Sequence, residues 1–111
     1  MKLPDSTKIG IDKLTGYLLI RQSRNDKSVF LALGGYTFRN PERLLADLTR
    51  LRESGEANLA GENRFGRYFE ITGWLPGAVG IALEVKTIWM TEHLSGLTRF
   101  ITLIPIKAAK P

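Results

Sequence analysis

Near residue 56 the spacing of apolar residues switches from one period to another, and few folds accommodate that switch. Before it, apolar residues recur at helical spacing. Ile11, Leu14, Leu18 and Leu19 form one such set, with Asp12 in the opening turn and Gly16 weakening the interior. The polar break Ser23-Arg24-Asn25-Asp26 supplies N-cap chemistry for a second, two-turn helix over 27–33, which Gly34-Gly35 stops. A third helix opens at Asn40 as cap with Pro41 in the first position. It carries Leu44, Leu45, Leu48 and Leu51 on one face and ends at Ser54-Gly55.

After the switch, glycines and prolines punctuate runs rich in β-branched and aromatic residues. The pattern predicts strands over 67–74, 81–91 and 97–104, with a short edge strand near 57–60. Residues 75–78 read as a turn, 93–96 as a hairpin connection, Pro105 as a stop and 107–111 as a frayed tail. The chain therefore reads as a single domain over 1–111, mainly helical over 1–55 and an antiparallel sheet over 56–106. The expected fold is α+β, with N-terminal helices packed on one face of a C-terminal antiparallel β-meander sheet of about four strands. In 81–91 one face carries Ile81, Leu83, Val85, Thr87, Trp89 and Thr91; the other carries Ala82, Glu84, Lys86, Ile88 and Met90. Simple alternation in the partner strand sets Thr98, Phe100, Thr102 and Ile104 against Arg99, Ile101 and Leu103. Neither strand is cleanly amphipathic, as expected of a sheet with one face on helices and the other in a partly apolar cleft.

Composition narrows the chemistry. The absence of cysteine removes disulfides, thiolate metal sites and cysteine nucleophiles, and a lone histidine, His93, makes a histidine-based metal cluster implausible. No cofactor is expected: Gly34-Gly35 follows a helix rather than a strand, so it is no phosphate-binding loop. No apolar run approaches membrane-spanning length, and residues 1–5 hold no apolar signal core, so no membrane association is expected and the chain is placed in the cytoplasm. Sixteen Lys and Arg against eleven Asp and Glu give a net charge of +5, compatible with a polyanionic partner and equally with charge kept for solubility.

Several blocks carry a resemblance. The opening Lys2-Leu3-Pro4, residues 12–19 (DKLTGYLL), 26–36 (DKSVFLALGGY), 87–92 (TIWMTE) and 97–105 (LTRFITLIP) resemble, in order and spacing, a family of small bacterial proteins catalogued as a domain of unknown function. The resemblance covers nearly the whole chain. The layout also looks like the C-terminal toxin domains of bacterial competition systems. Those show a Lys-Leu…Tyr-Leu-Leu opening, a lysine followed by an aromatic on the second helix, a Thr-x-Trp strand and a closing Thr-x-x-Pro strand. Such toxins are assigned to the barnase–EndoU–colicin–RelE ribonuclease superfamily, whose members cleave RNA without metal on an exposed sheet face. The resemblance implies a toxin-like, metal-independent ribonuclease or RNA-binding protein, with tRNA or rRNA as targets. This chain departs from the family at Phe69, where relatives place a tyrosine before the glutamate. It departs again at Leu75-Pro76-Gly77-Ala78, where they show a Gly-Pro-Asn-Gly type of turn.

Metal-free RNA cleavage requires a base for the 2′-hydroxyl, cations or donors on the phosphate and an acid for the leaving oxygen. Lys27 matches the second-helix lysine of the toxin pattern and stands at a helix start, where an ordinary exposed lysine would also be at home. Thr87 and Thr102 match its threonines. Arg99 stands where the family often shows a basic residue, and His93 is the one side chain whose unperturbed pKa suits proton transfer near neutrality. Lys27, His93, Thr87, Arg99 and Thr102 are thus the catalytic candidates. Trp89, Thr98, Tyr68 and Arg67 are candidates for binding RNA or a partner, although threonine and tryptophan are also ordinary strand formers. The competing expectation is a non-catalytic interaction module: a toxin-cassette partner, an immunity protein or a phage-encoded inhibitor. It would meet a cognate protein through Tyr36, Phe38, Trp74 and Trp89.

Overall fold

The computed structural model describes residues 1–24 and 26–109 and has the α+β order expected. α1 (Ile11–Lys13) runs directly into a π-helical turn (Leu14–Leu18), followed by α2 (Ser28–Leu33) and α3 (Pro41–Ser54). Four strands, β1 (Asn58–Glu62), β2 (Gly66–Leu75), β3 (Ala82–Glu92) and β4 (Thr98–Ala109), form one antiparallel sheet in the order β1-β2-β3-β4. Every neighbouring pair is consecutive in sequence, so the sheet is a meander whose outer edges are β1 and β4.

The helices cover one face only. Leu14, Leu18, Leu31, Leu44 and Leu48 pack against Ile71, Leu75, Leu83, Val85, Trp89 and Leu103 in a single core. α3 keeps the bounds its sequence suggested. Asn40, however, turns backwards: its Oδ1 accepts the Thr37 N–H at 2.8 Å and its Nδ2 donates to Gly35 O at 3.0 Å. A buried polar knot ties α3 to the β2–β3 connection. The Tyr36 hydroxyl donates to Asp47 Oδ2 at 2.6 Å and accepts the Gly77 N–H at 2.8 Å, while Arg43 donates to Asp47 Oδ2 at 3.1 Å and to Gly77 O at 2.7 Å. Burial, more than the adjacent carboxylate, pushes the Tyr36 hydroxyl well above its ordinary pKa. Gly77 is held at φ 82°, and a Cβ there would lie 2.0 Å from Ile81 O, so glycine is required at this close crossing.

Two features of β4 differ from the sequence expectation. The strand does not stop at Pro105 but continues to Ala109, so 107–109 are strand rather than tail, while 110 and 111 lie outside the described residues. Pro105 pairs with Val85 beside a register shift on an edge strand, the setting in which a missing N–H is tolerated. The second difference concerns facing. Trp89 pairs with Phe100, but Ile88 pairs with Thr102, leaving Ile101 as an extra residue. The inserted residue reverses the alternation beyond it. Leu103 turns into the core opposite Thr87, and Thr102 leaves the face it would share with Thr98 and Phe100.

The N-terminal segment covers part of the β4 edge. Lys8 runs parallel to it, donating its N–H to Thr98 O at 2.9 Å and accepting the Phe100 N–H at 2.8 Å. That bridge ends where the bulge begins.

Candidate functional site

The sequence candidates separate into four groups. The first is structural. Thr87 and Trp89 are both 0% exposed, and they satisfy each other: the indole Nε1–H donates to Thr87 Oγ1 at 2.8 Å, and the Thr87 hydroxyl donates to Ile71 O at 2.8 Å. Trp89 also packs edge-on against Phe100, with ring centroids 5.2 Å apart. Neither residue offers a surface to phosphate or base, which removes Thr87 from any catalytic set and Trp89 from any binding face. Thr98 is buried as well, its hydroxyl bonded to that of Thr91 at 2.7 Å. A buried indole N–H needs an acceptor, and Thr87 is a strand residue of the right reach; this explains the Thr-x-Trp spacing without a ligand.

The second group lies toward β1. His93 Nε2 sits 3.0 Å from Asn63 O and 3.3 Å from Glu62 Oε2, and Arg67 Nε is 3.6 Å from Glu62 Oε1. The His93 contacts fasten the β3–β4 turn to the β1–β2 turn, and the Arg67 contact lies within the β1–β2 hairpin.

The third group is Lys27 with Thr102, at the opposite margin of the sheet. The Lys27 ammonium donates to Thr102 Oγ1 at 2.7 Å and lies 6.0 Å from the centre of the Tyr17 ring. Among the described residues it has no carboxylate partner within ion-pair distance. Burial, and then repulsion from the Lys13 ammonium, lower its pKa below the ordinary lysine range. A preceding turn sets its position: Asp26 Oδ1 accepts the Ser28 N–H at 3.0 Å and the Ser28 hydroxyl at 2.6 Å. Those bonds, the hydroxyl's first, hold the Asp26 carboxyl below its usual range. The β4 bulge completes the pair by presenting Thr102 at the strand edge instead of in the core.

The fourth group lies on the open sheet face, where Tyr68, Met90 and Arg99 are cross-strand neighbours. With Arg64, Phe65 and Glu92 they line a hollow of ≈ 330 Å³. A second hollow of ≈ 470 Å³, over the β4 edge, is lined by Lys8, Lys13, Leu97 and Phe100, and shares Glu92, Arg99 and Ile101 with the first. Arg99 thus connects the two, its guanidinium 3.8 Å from Glu92 Oε2.

Lys13, Tyr17, Arg64, Phe65 and Glu92 were not singled out from sequence. For Arg64 and Phe65 a local signal existed. Asn63 and Gly66 mark a tight turn, in which Asn63 Oδ1 accepts the N–H groups of Phe65 at 2.9 Å and Gly66 at 3.3 Å, so a basic–aromatic pair had to sit at its tip. The aromatic surface of the competing expectation does not form. Tyr36 and Trp89 are buried, while the exposed Phe38 follows α2 in the helical layer and the exposed Trp74 stands across from Glu84 and Lys107 on the open face.

Among the described residues no three of His, Cys, Asp and Glu converge as a metal-holding group, and no helix is long and apolar enough to cross a membrane. No curated protein and no solved structure matches the chain. One family does: Domain of unknown function (DUF6883) matches residues 2–107. The match spans all of the described elements up to the last residues of β4, and the chain belongs to this family.

Proposed function

We propose that the protein binds RNA across the outer edge of β4 and cleaves it as a toxin-like, metal-independent ribonuclease, with Lys27 and Thr102 on the scissile phosphate. The observation that supports this reading is the Lys27 ammonium itself. It is partly buried, without a carboxylate in ion-pair distance among the described residues, repelled by Lys13 and bonded to a hydroxyl. A fold has no structural need for such a cation, whereas a phosphate would relieve it. Lys13, Lys8 and Arg99 bring three further cations to the neighbouring hollow, against the two carboxylates Asp12 and Glu92, the latter paired with Arg99.

In the proposed reaction the 2′-oxygen bonds to phosphorus as the bond to the 5′-oxygen breaks, leaving a 2′,3′-cyclic phosphate and a 5′-hydroxyl. Lys27 and Thr102 stabilise the charge on the non-bridging oxygens. Lys27, easier to deprotonate than an ordinary lysine, supplies the proton to the departing 5′-oxygen, and water takes the proton of the 2′-hydroxyl. His93 is held on the β1 side of the sheet, so it is not paired with Lys27 as base and acid.

Incubation with total bacterial tRNA and rRNA in EDTA tests the reading. Cleavage should fall roughly 10²-fold or more in Lys27→Ala, the loss expected for removing a positioned proton donor. Thr102→Val should reduce it, and His93→Ala should leave it near wild type. Intact RNA at high protein concentration would overturn the nuclease reading for these substrates. One observation favours a second reading, the non-catalytic interaction module. Trp74, 43% exposed, and Ile104, 46% exposed, both stand on the open sheet face. A cognate protein that protects these side chains from solvent, with RNA left intact, would decide for it.

A further inference from the structure

We propose that the hollow at the turn end of the open sheet face is a subsite for one unpaired nucleobase and its attached phosphate. This rests on the RNA reading above and adds a substrate feature to it: a single-stranded segment, read one base at a time. The lining combines a flat apolar surface with cations. Phe65 is 59% exposed, although a phenyl ring of that size is normally withdrawn from water, and the Arg64 guanidinium lies 4.8 Å from its ring centre. Tyr68 stands across the hollow with its hydroxyl 3.3 Å from the Asn63 side-chain amide, which fixes the edge of the ring. Met90 and Ile101 form an apolar floor. Arg64 and Arg99 provide the positive charge.

Size and connection narrow the ligand. A volume of ≈ 330 Å³ lies at the small end of ligand sites, enough for one nucleotide and too little for a base pair. Planar π-faces with a nearby negative charge are what this lining can hold, by stacking on Phe65 and Tyr68 and by pairing with arginine. Because Arg99 and Ile101 also line the edge hollow, a strand leaving the base subsite continues into that hollow, where Lys8 and Lys13 stand. Glu92, partly engaged by Arg99, keeps acceptor oxygens in the hollow. An exocyclic amine on the base can donate to them, so uracil, which has none, should bind weakest.

The experiment is fluorescence anisotropy with a labelled eight-nucleotide single-stranded RNA, with free AMP, CMP, GMP and UMP as competitors and inorganic polyphosphate as a charge-only control. Phe65→Ala should weaken the oligonucleotide about tenfold, in line with the loss of one stacked base, and should leave polyphosphate binding unchanged. Arg64→Gln, which keeps the exposed ring, should weaken both. An oligonucleotide with a single abasic position should lose no further affinity against Phe65→Ala. If Lys27→Ala abolishes binding while Phe65→Ala and Tyr68→Ala bind as wild type, the base subsite is overturned and the RNA reading stands. If the mononucleotides bind at Phe65 and the oligonucleotide does not bind at all, the subsite stands with free nucleotide as its source, and the RNA reading fails. If neither binds, both are overturned.

Discussion

Thr87 and Thr102 lie on neighbouring strands and belong to the same sequence pattern, yet the structure assigns them to different physical worlds. Thr87 is fully enclosed, and its hydroxyl is used twice, by the Trp89 indole and by Ile71 O. Thr102 stands one residue past a bulge, on an edge strand, and its hydroxyl receives a cation. In the first region every polar group is satisfied by the protein. In the second, Lys27 has no carboxylate within ion-pair distance among the described residues, and its ammonium is met by a hydroxyl instead. Residue type alone does not separate the two positions; burial and the charge around them do.

The comparison breaks most visibly at its buried end. Trp89→Ala should cost about 3–5 kcal/mol of folding stability, the range for deleting a fully buried large aromatic. A urea melt measures it, and a loss below about 1 kcal/mol would mean that the ring lies at a surface after all. Thr87→Val removes the acceptor of the indole N–H in an otherwise unchanged core. It should cost about 1–3 kcal/mol with no effect on RNA cleavage beyond the fraction unfolded.

At the edge the sign reverses. Lys27→Met removes a desolvated charge and keeps the stem that packs beneath it, so it should raise stability while abolishing cleavage. The pH dependence follows from the lowered pKa. Below its folded-state value Lys27 is charged in both states and the cost of burying it is fully present. Between that value and the ordinary lysine range the folded chain releases the proton first, and the cost disappears. Wild-type stability should therefore gain on Lys27→Met as pH rises through the alkaline range, and thermal melts of the two proteins should converge there. Parallel curves would show that Lys27 is solvated like any surface lysine.

The helix-then-meander order was legible because each half of the chain keeps one period. α3 was legible almost to the residue, because Pro41 and Gly55 punctuate it. The facing of β4 was not. Alternation assumes one residue per step, and Ile101 breaks that count without a glycine to announce it. For the same reason Thr102, Thr98 and Phe100 read as one face when only the last two share it. Thr87 was misleading for a different reason. A threonine two residues before a tryptophan is as consistent with satisfying a buried indole as with binding phosphate, and only burial separates the two. Pro105 read as a stop because sequence does not say that β4 is an edge. The Lys27–Thr102 pair was reachable only through resemblance, since it joins residues 75 positions apart.

The smallest effect tests how the edge lysine is held. Asp26 is half-buried, and its Oδ1 accepts both the N–H and the hydroxyl of Ser28, one residue past Lys27. Those bonds lower the carboxyl pKa, so their contribution is present above the unfolded carboxylate value and fades as pH falls through the folded one. Asp26→Asn keeps an acceptor in place and should retain RNA cleavage, whereas Asp26→Ala removes it, loosens the entry to α2 and should lower cleavage a few-fold with little change in the urea midpoint. Stability of wild type relative to Asp26→Ala should diminish only at strongly acidic pH. If Ala and Asn behave alike in the cleavage assay, the turn does not place Lys27. The bond to Thr102, beside the Tyr17 ring, would then hold the ammonium, and Thr102→Val should become the more damaging change.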